Sequence, residues 1–230
     1  MPLDINILGE GIYTPRQAAR LVGTTPQQIA RWTRGSGPTE PLWNAYYQPL
    51  DDTTEISFAD LIEVRVVRAF RQAGISLQAI RFAIEQAEAQ FGVDHPLSSM
   101  KFKTDGQEIL MQALDREEHH VSLSKKRPGQ RVFTELVKQS LNDLEYEKDS
   151  AVRWRPRVSI VIDPARQFGE PVLDEFGIST RMIYEEFLEF QDIDYLSKIY
   201  DLSKKLVRHA IDFEEFLDSR MNKENGQSSF

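Results

Sequence analysis

Residues 13–34 carry two consecutive helix-start signals separated by a glycine, and this spacing restricts the fold more than any other stretch. Thr14 followed by Pro15 predicts the N-terminus of a first helix, and Gly23 predicts its left-handed end. Thr25, again before a proline, repeats the start signal. Two capped helices joined by a short glycine turn are the pattern of a helix-turn-helix.

The charge of this stretch favours contact with nucleic acid, although the whole chain is acidic. Residues 11–39 contain no Asp or Glu, whereas the complete chain has a net charge of −8. A DNA-binding face needs positive charge only where it meets phosphates. The alternative is an ordinary helical corner with solvated arginines. We predict major-groove contacts for Gln27, Gln28, Arg31 and Arg34, and phosphate contacts for Arg16 and Arg20.

The composition is that of a globular protein without disulfides. The 230 residues suffice for one large or two modest domains. The absence of cysteine excludes disulfides, thiolate zinc sites and cysteine nucleophiles. The first residues lack the features of a signal peptide, and no apolar run is long enough for a membrane helix. We therefore expect a cytoplasmic protein with no membrane partner.

A small hairpin is expected after the helix pair. Residues 42–47 and 55–57 have the composition of short strands, and such a hairpin would make the arrangement a winged helix-turn-helix. Its tip carries Asp51, Asp52 and Glu55, which would repel phosphates. We therefore expect the hairpin to pack on the core or to face a protein.

The next segment predicts two helices, over residues 57–73 and 77–91, because apolar side chains recur at helical spacing. It also resembles the second half of a MerR-type DNA-binding domain. The matching residues are Asp60-Leu61, Arg65, Arg68, Arg71 and Gly74-Ile75-Ser76-Leu77. The resemblance covers residues 12–91 and implies a DNA-binding module. Because the chain lacks the cysteines and long coiled coil of MerR regulators, metal sensing of their kind is not expected.

The middle of the chain, residues 97–162, predicts a small antiparallel sheet with one helix. Asp105-Gly106 is a typical hairpin turn, and alternating apolar residues flank it. The expected elements, in chain order, are strands over 100–104, 107–114 and 120–124, a helix over 132–144, and strands over 151–155 and 158–162.

The last segment predicts a second helix-turn-helix. Helices are expected over residues 180–190, over 193–200 with Leu196 and Ile199 inside, and from Ser203 onwards. Residues 158–217 resemble a small helical domain that is common in VapB-type antitoxins, which are encoded beside nuclease toxins with a PIN fold. The matching residues are Ile162-Asp163-Pro164, Phe168-Gly169-Glu170-Pro171, Gly177-Ile178-Ser179-Thr180, Asp192, Tyr200-Asp201-Leu202-Ser203, Val207, Ala210 and Phe213-Glu214. The resemblance implies three partners: a PIN-like toxin, operator DNA and a second copy of the chain.

Lys204, Lys205 and Arg208 form a weaker candidate for DNA contact on the third helix of this segment. Residues 158–230 contain eight basic and fifteen acidic side chains, and this excess repels phosphates. Contact with a partner protein or a second copy is therefore the favoured interpretation of this cluster.

Arg153, Arg155 and Arg157 alternate around Trp154 on an expected strand. An exposed arginine there could pair with the carboxylates of a PIN-like nuclease. The favoured alternative is an edge strand that its charges protect from aggregation.

No catalytic residue, metal site or cofactor is expected. The four histidines have no metal-binding spacing, and the motifs of nucleophile elbows and phosphate loops are absent.

Together these patterns predict an α+β protein, mainly α, in which two (winged) helix-turn-helix modules are joined by a small antiparallel sheet. The expected domains are residues 1–92, 93–157 and 158–220, followed by a disordered tail, 221–230. The implied function is that of an antitoxin that neutralises a PIN-like ribonuclease and represses its own operon. The alternatives are a stand-alone MerR-like regulator that senses a ligand, and a protein-interaction module without DNA binding.

Overall fold

The computed structural model describes residues 8–50, 53–120 and 130–227, with side chains over 8–50, 53–117 and 134–221. In these ranges the chain forms nine α-helices and one four-stranded antiparallel sheet. The helices are α1 (Pro15–Val22), α2 (Pro26–Arg34), α3 (Phe58–Gln72), α4 (Leu77–Phe91), α5 (Met100–His120), α6 (Gln130–Leu141), α7 (Thr180–Phe190), α8 (Ile193–Ile199) and α9 (Lys204–Gln227). The strands, which are also neighbours in this order, are β1 (Leu144–Glu147), β2 (Ser150–Arg157), β3 (Ile160–Ile162) and β4 (Pro171–Leu173). The expected fold class, α+β and mainly α, is confirmed.

The N-terminal helix pair forms with the caps that its sequence predicts. The Thr14 hydroxyl accepts a hydrogen bond from the backbone N–H of Gln17 at 3.2 Å, and the Gln17 side chain accepts one from the backbone of Thr14 at 2.9 Å. Gly23 ends α1 with φ of +79°, where glycine carries no steric penalty. Thr25 caps α2 by accepting a hydrogen bond from the Gln28 N–H at 3.2 Å.

The hairpin expected after α2 does not form in the described residues. Residues 42–50 contain bends and turns but no strand, and Ile56 pairs instead with Tyr13 in an isolated antiparallel bridge. Asp51 and Asp52 of the expected acidic tip lie outside the described residues. The prediction of a winged arrangement is therefore wrong for this part of the chain.

Asp60 explains why the segment folds differently. Its carboxylate is fully buried at the start of α3, where it accepts hydrogen bonds from the indole N–H of Trp43 at 2.7 Å and from the backbone N–H of Tyr46 at 3.1 Å. It also accepts from the Ser57 hydroxyl at 2.8 Å and so closes the cap of α3. A buried carboxylate needs hydrogen-bond donors, and Trp43 and Tyr46 supply them. Residues 42–50 therefore pack onto α3.

Residues 100–120 form one continuous helix, so the hairpin expected at Asp105-Gly106 is wrong. The side chains of Phe102, Leu110 and Ala113 recur at helical spacing and are buried in the main core. Gly106 is a packing position, because a Cβ there would lie 2.7 Å from the Phe102 ring. Apolar and polar residues alternate over 100–104, as in a strand. The segment is nevertheless helical, because the helix buries an apolar face that extends well beyond these five residues. Residues 121–124 of the next expected strand lie outside the described residues.

The small sheet is present, but its two outer strands, β1 and β4, were not expected. The strands predicted over 151–155 and 158–162 are confirmed as β2 and β3. Trp154 lies opposite Ile162 in β3 and opposite Leu144 in β1. The expected helix over 132–144 is confirmed as α6, although it ends at Leu141 because the chain enters β1 three residues later.

The three C-terminal helices are confirmed close to their expected bounds. Ser179 caps α7 by accepting from the Met182 N–H at 3.3 Å, and Asp192 caps α8 through two backbone N–H groups. Helix α9 continues to Gln227, which is beyond the expected start of the tail at residue 221. Residues 228–230 lie outside the described residues.

A buried ion pair joins the N-terminal helix pair directly to the C-terminal helices. Arg20 of α1 donates to Glu214 at 2.7 Å and to Asp218 at 2.8 Å, both on α9. The Glu214 side chain is only 1% exposed and also accepts a hydrogen bond from the Thr180 hydroxyl. The two modules therefore share a core and are not held together by the sheet alone.

Two further contacts complete this junction. The Tyr13 hydroxyl donates to the carbonyl of Gly169 at 3.0 Å. Arg220 donates to the carbonyls of Leu21 and Val22, the last residues of α1. A cation at this end of a helix is favourable because the unpaired carbonyls carry partial negative charge.

Replacement of the buried carboxylate tests this junction. We expect Glu214→Gln to lower the free energy of unfolding by about 3 kcal/mol, because it removes one charge of a buried pair and leaves the other without its main partner. Urea unfolding followed by circular dichroism measures the change. The adjacent, exposed Glu215→Gln is the matched control, and its effect should stay within about 0.5 kcal/mol. Equal effects of the two substitutions would contradict a structural role for the pair.

Candidate nucleic-acid and partner interfaces

The polar face of α2 is exposed and carries most of the residues predicted to contact DNA. Gln27, Arg31 and Arg34 follow one another at spacings of four and three, so they lie on one face of the helix. The opposite face, with Ile29 and Trp32, is buried against the core. The caps and the buried stripe thus fix which side of α2 meets solvent.

Gln28 and Arg16 are exposed beside this face, and each has a distinct environment. The side-chain carbonyl of Gln28 accepts a hydrogen bond from the buried Thr24 hydroxyl, which orients its amide. Arg16 lies on the first turn of α1 and lines a groove between α1 and the C-terminal helices. Both therefore remain candidates for contact with a polyanion.

An acidic side chain also lies near the end of this face. Hydrogen bonding from Thr53 holds the pKa of Glu55 below its ordinary value, and Arg34 makes a smaller contribution. The ionised Glu55 carboxylate partly offsets the charge of Arg34. Arg31 has no such neighbour among the electrostatic contacts of the described residues.

Arg20, which was predicted to lie near phosphates, faces the protein interior. Its guanidinium group is occupied by Glu214 and Asp218, and it also donates to the Glu214 carbonyl at 3.1 Å. Contact with a phosphate would require these bonds to break. We therefore leave Arg20 out of the candidate DNA surface, because the fold uses it to hold α1 against α9.

The weaker basic cluster on α9 is exposed but is partly neutralised. Lys204 forms an ion pair with Asp194 at 2.6 Å, whereas Lys205 and Arg208 are exposed to solvent. The neighbouring His209 contacts the Ser159 hydroxyl. This environment favours DNA contact less than the acid-free face of α2 does.

Two of the three arginines of β2 donate hydrogen bonds to carboxylates within the protein. Arg153 donates to Asp163 at 2.9 Å and to Glu145 at 3.3 Å. Arg155 donates to Glu145 and to Asp174. Hydrogen bonds from Arg155, and secondarily from Arg153, hold the pKa of the Glu145 carboxyl below its ordinary value.

These bonds argue against insertion of Arg153 or Arg155 into a nuclease site. A side chain that already satisfies two carboxylates would have to exchange those bonds for new ones on binding. Arg157 is different: it is exposed and stacks over Phe216 at 4.8 Å, measured from the guanidinium carbon to the ring centre.

An exposed apolar surface on α7 and α8 was not found by sequence reasoning. Ile199 was expected inside but is 56% exposed, and Leu188 is 55% exposed. Phe190 and Tyr195 are also exposed, and their ring centres lie 4.9 Å apart. The available signal was an excess of apolar residues in α8, more than one buried stripe can hold.

A buried cluster of ionisable groups lies away from these surfaces. The His95 ring contacts the Asp60 carboxylate at 2.9 Å, and Glu63 accepts a hydrogen bond from the Ser98 N–H at 2.8 Å. Burial acts to raise the pKa of Asp60, but hydrogen bonds from His95, Ser57 and Trp43 outweigh it and lower that pKa. The cluster connects the start of α3 to the segment before α5, which is a structural role.

Glu63 and His95 respond to burial in different ways. Burial raises the pKa of Glu63 to about 8, although His95 and Ser98 act in the opposite direction. For His95, burial acts to lower the pKa, but the neighbouring acidic groups, Asp60 above all, together outweigh burial and the net pKa is raised. The other carboxylate oxygen of Glu63 has no hydrogen-bond partner among the described residues. A protonated Glu63 is consistent with this environment.

The raised pKa of Glu63 gives a pH-dependent prediction. Between its ordinary pKa of 4.5 and about 8, the unfolded chain ionises while the folded chain keeps the proton, so the free energy of unfolding falls as pH rises. The raised pKa of His95 acts in the same direction. We expect Glu63→Gln to weaken this dependence, because glutamine keeps the bond from Ser98 but cannot ionise.

Urea unfolding at about pH 5 and about pH 8 measures that dependence. The exposed Glu85→Gln is the control and should retain the full wild-type change. An unchanged pH dependence in Glu63→Gln would show that Glu63 is ionised in the folded protein.

Two other kinds of site were sought in the described part of the chain. Within it, no group of three or more His, Asp or Glu side chains is arranged to hold a metal ion. No helix there is long and apolar enough to cross a membrane.

Comparison with known proteins finds similarity to a curated sequence and to a solved structure, both from Mycobacterium tuberculosis. A candidate antitoxin of Mycobacterium tuberculosis (strain H37Rv), VapB45, is 26% identical over 222 residues, covering 87% of this chain and 92% of that protein. The crystal structure of Rv2018 from Mycobacterium tuberculosis superposes with a TM-score of 0.67 and 22% identity, over 87% of this chain and 96% of that one. The structural match supports the fold across both modules. No protein-family model matches the chain.

Proposed function

We propose that this protein is the antitoxin of a bacterial toxin–antitoxin pair. The observation that carries the proposal is the similarity to a candidate VapB antitoxin over nearly the whole length of both chains. The arrangement of charge agrees with it, because one exposed face is basic and another is acidic and apolar. On this proposal the protein is a binding protein and not an enzyme.

The face of α2 is the proposed DNA-binding surface. Gln27, Gln28, Arg31 and Arg34 would reach base edges in the major groove, while Arg16 would contact a phosphate. Operator binding would repress the operon that encodes the pair. A homodimer would present two such faces to a two-fold operator.

The exposed apolar surface of α7 and α8 is the proposed toxin-binding surface. It includes Leu188, Phe190, Tyr195 and Ile199, and carboxylates lie beside these residues along the same two helices. A ribonuclease such as a PIN-like toxin needs a basic surface to bind the RNA backbone. An acidic and apolar surface is complementary to such a groove and would cover it.

The DNA surface is tested by the double substitution Arg31→Ala/Arg34→Ala. We expect it to weaken binding to the upstream promoter fragment by about 2–4 kcal/mol, because two cationic contacts are lost. A mobility-shift titration at fixed salt measures the affinity. Lys205→Ala/Arg208→Ala removes the same charge from α9 and should change affinity much less. Equal losses in both variants would place the DNA surface elsewhere.

The partner surface is tested by growth of cells that express the adjacent gene product with each variant. The wild type should restore growth, and Tyr195→Ala/Ile199→Lys should not, because it removes apolar contact area. Val158→Lys is the control: Val158 is 97% exposed in the turn between β2 and β3, and its variant should still restore growth.

The growth experiment tests the antitoxin role and the location of the toxin-binding surface separately. Failure of the wild type to restore growth would contradict the antitoxin role itself. Full rescue by both variants would leave that role intact but show that the toxin binds elsewhere.

A further inference from the structure

A cleft of about 530 Å³ lies where α1, α3, α6, β2 and α9 meet. This volume is typical of sites for small molecules. Apolar side chains from four elements form much of its wall, among them Leu21, Leu136, Pro156, Phe213 and Phe216.

The charged residues that line the cleft are mostly arginines, which is unusual in a chain with more acidic than basic residues. Arg65, Arg68, Arg157 and Arg220 line it together with a single carboxylate, Asp143. Asp143 already accepts from Arg65 at 2.6 Å and from the indole N–H of Trp154 at 2.8 Å. Among the lining residues, no second carboxylate is present to balance Arg157.

Arg157 is held in place without a charged partner. Its guanidinium carbon lies 4.8 Å from the centre of the Phe216 ring, and that of Arg220 lies 5.2 Å from the same ring. Arg157 is exposed and forms no ion pair with any residue that the structure describes. The aromatic ring limits where this cation can move, so its position is largely set before any ligand arrives.

An anion that contacts Arg157 would accept charge-assisted hydrogen bonds from its planar guanidinium group, which is suited to phosphate. The apolar wall would contact an uncharged body attached to that anion.

We propose that this cleft binds a small organic phosphate. The phosphate contacts Arg157, and the organic body lies against the apolar wall of the cleft. The site is independent of the DNA and toxin surfaces. Because its walls come from both α1 and α9, an occupant would stabilise the junction between the two helical modules.

Isothermal titration calorimetry of the full chain tests the proposal with 1-naphthyl phosphate as the probe. We expect it to bind at least about tenfold more tightly than inorganic phosphate or 1-naphthol, because only the ester has both the anion and the apolar body. Arg157→Gln should weaken its binding at least about fivefold, through loss of a charge-assisted contact.

Arg116→Gln is the matched control, because Arg116 also stacks on an aromatic ring, at 3.9 Å from Phe82, but lies away from the cleft. Its affinity for naphthyl phosphate should equal that of the wild type. Circular dichroism confirms that both variants are folded.

Three results would overturn the proposal. The first is no detectable binding of the ester by the wild type, and the second is equal affinity of Arg157→Gln and the wild type. The third is equally tight binding of inorganic phosphate, which would show that the apolar wall has no part in recognition.

Discussion

The Glu214 carboxylate is buried where the N-terminal helix pair meets the C-terminal helices. Its negative charge needs a positively charged partner there. Arg20 supplies the opposite charge from α1, and Thr180 donates a further hydrogen bond from α7. Because an unpaired charge at this depth would cost several kcal/mol, the three helices can pack only in an arrangement that keeps these groups together. The contacts of Tyr13 with Gly169 and of Arg220 with the end of α1 follow from the same arrangement.

This junction also determines which charges remain for partners. Of the four arginines in the acid-free stretch, Arg20 is used inside the protein, while Arg16, Arg31 and Arg34 stay exposed. The C-terminal helices retain exposed carboxylates and apolar side chains. The proposed division of function, with DNA at α2 and protein contacts at α7 and α8, rests on this separation. The cleft between the modules adds a third surface, formed only because both modules contribute walls.

The helices that were predicted correctly have local start and stop signals. Thr14, Gly23 and Thr25 act on backbone groups within a few residues, so their effect does not depend on the rest of the fold. The wrong predictions concern segments whose structure depends on tertiary contacts and not on local signals. Residues 42–47 resemble a strand, but the buried Asp60 carboxylate draws Trp43 and the segment around it onto α3. Gly106 resembles a turn residue, but residues 100–120 stay helical because Phe102, Leu110 and Ala113 are buried against the rest of the core.

The sequence by itself determined the N-terminal helix pair, its exposed and buried faces and the uneven charge along the chain, because capping, helical periodicity and composition are local properties. Only the tertiary structure decided which candidate residues remain exposed. Arg20, Arg153 and Arg155 resemble surface cations in the sequence, yet carboxylates that are distant in the sequence or on a neighbouring strand occupy them. Ion pairs form between residues that are close in space, so the spacing of arginines along the chain does not reveal which of them are paired within the folded protein.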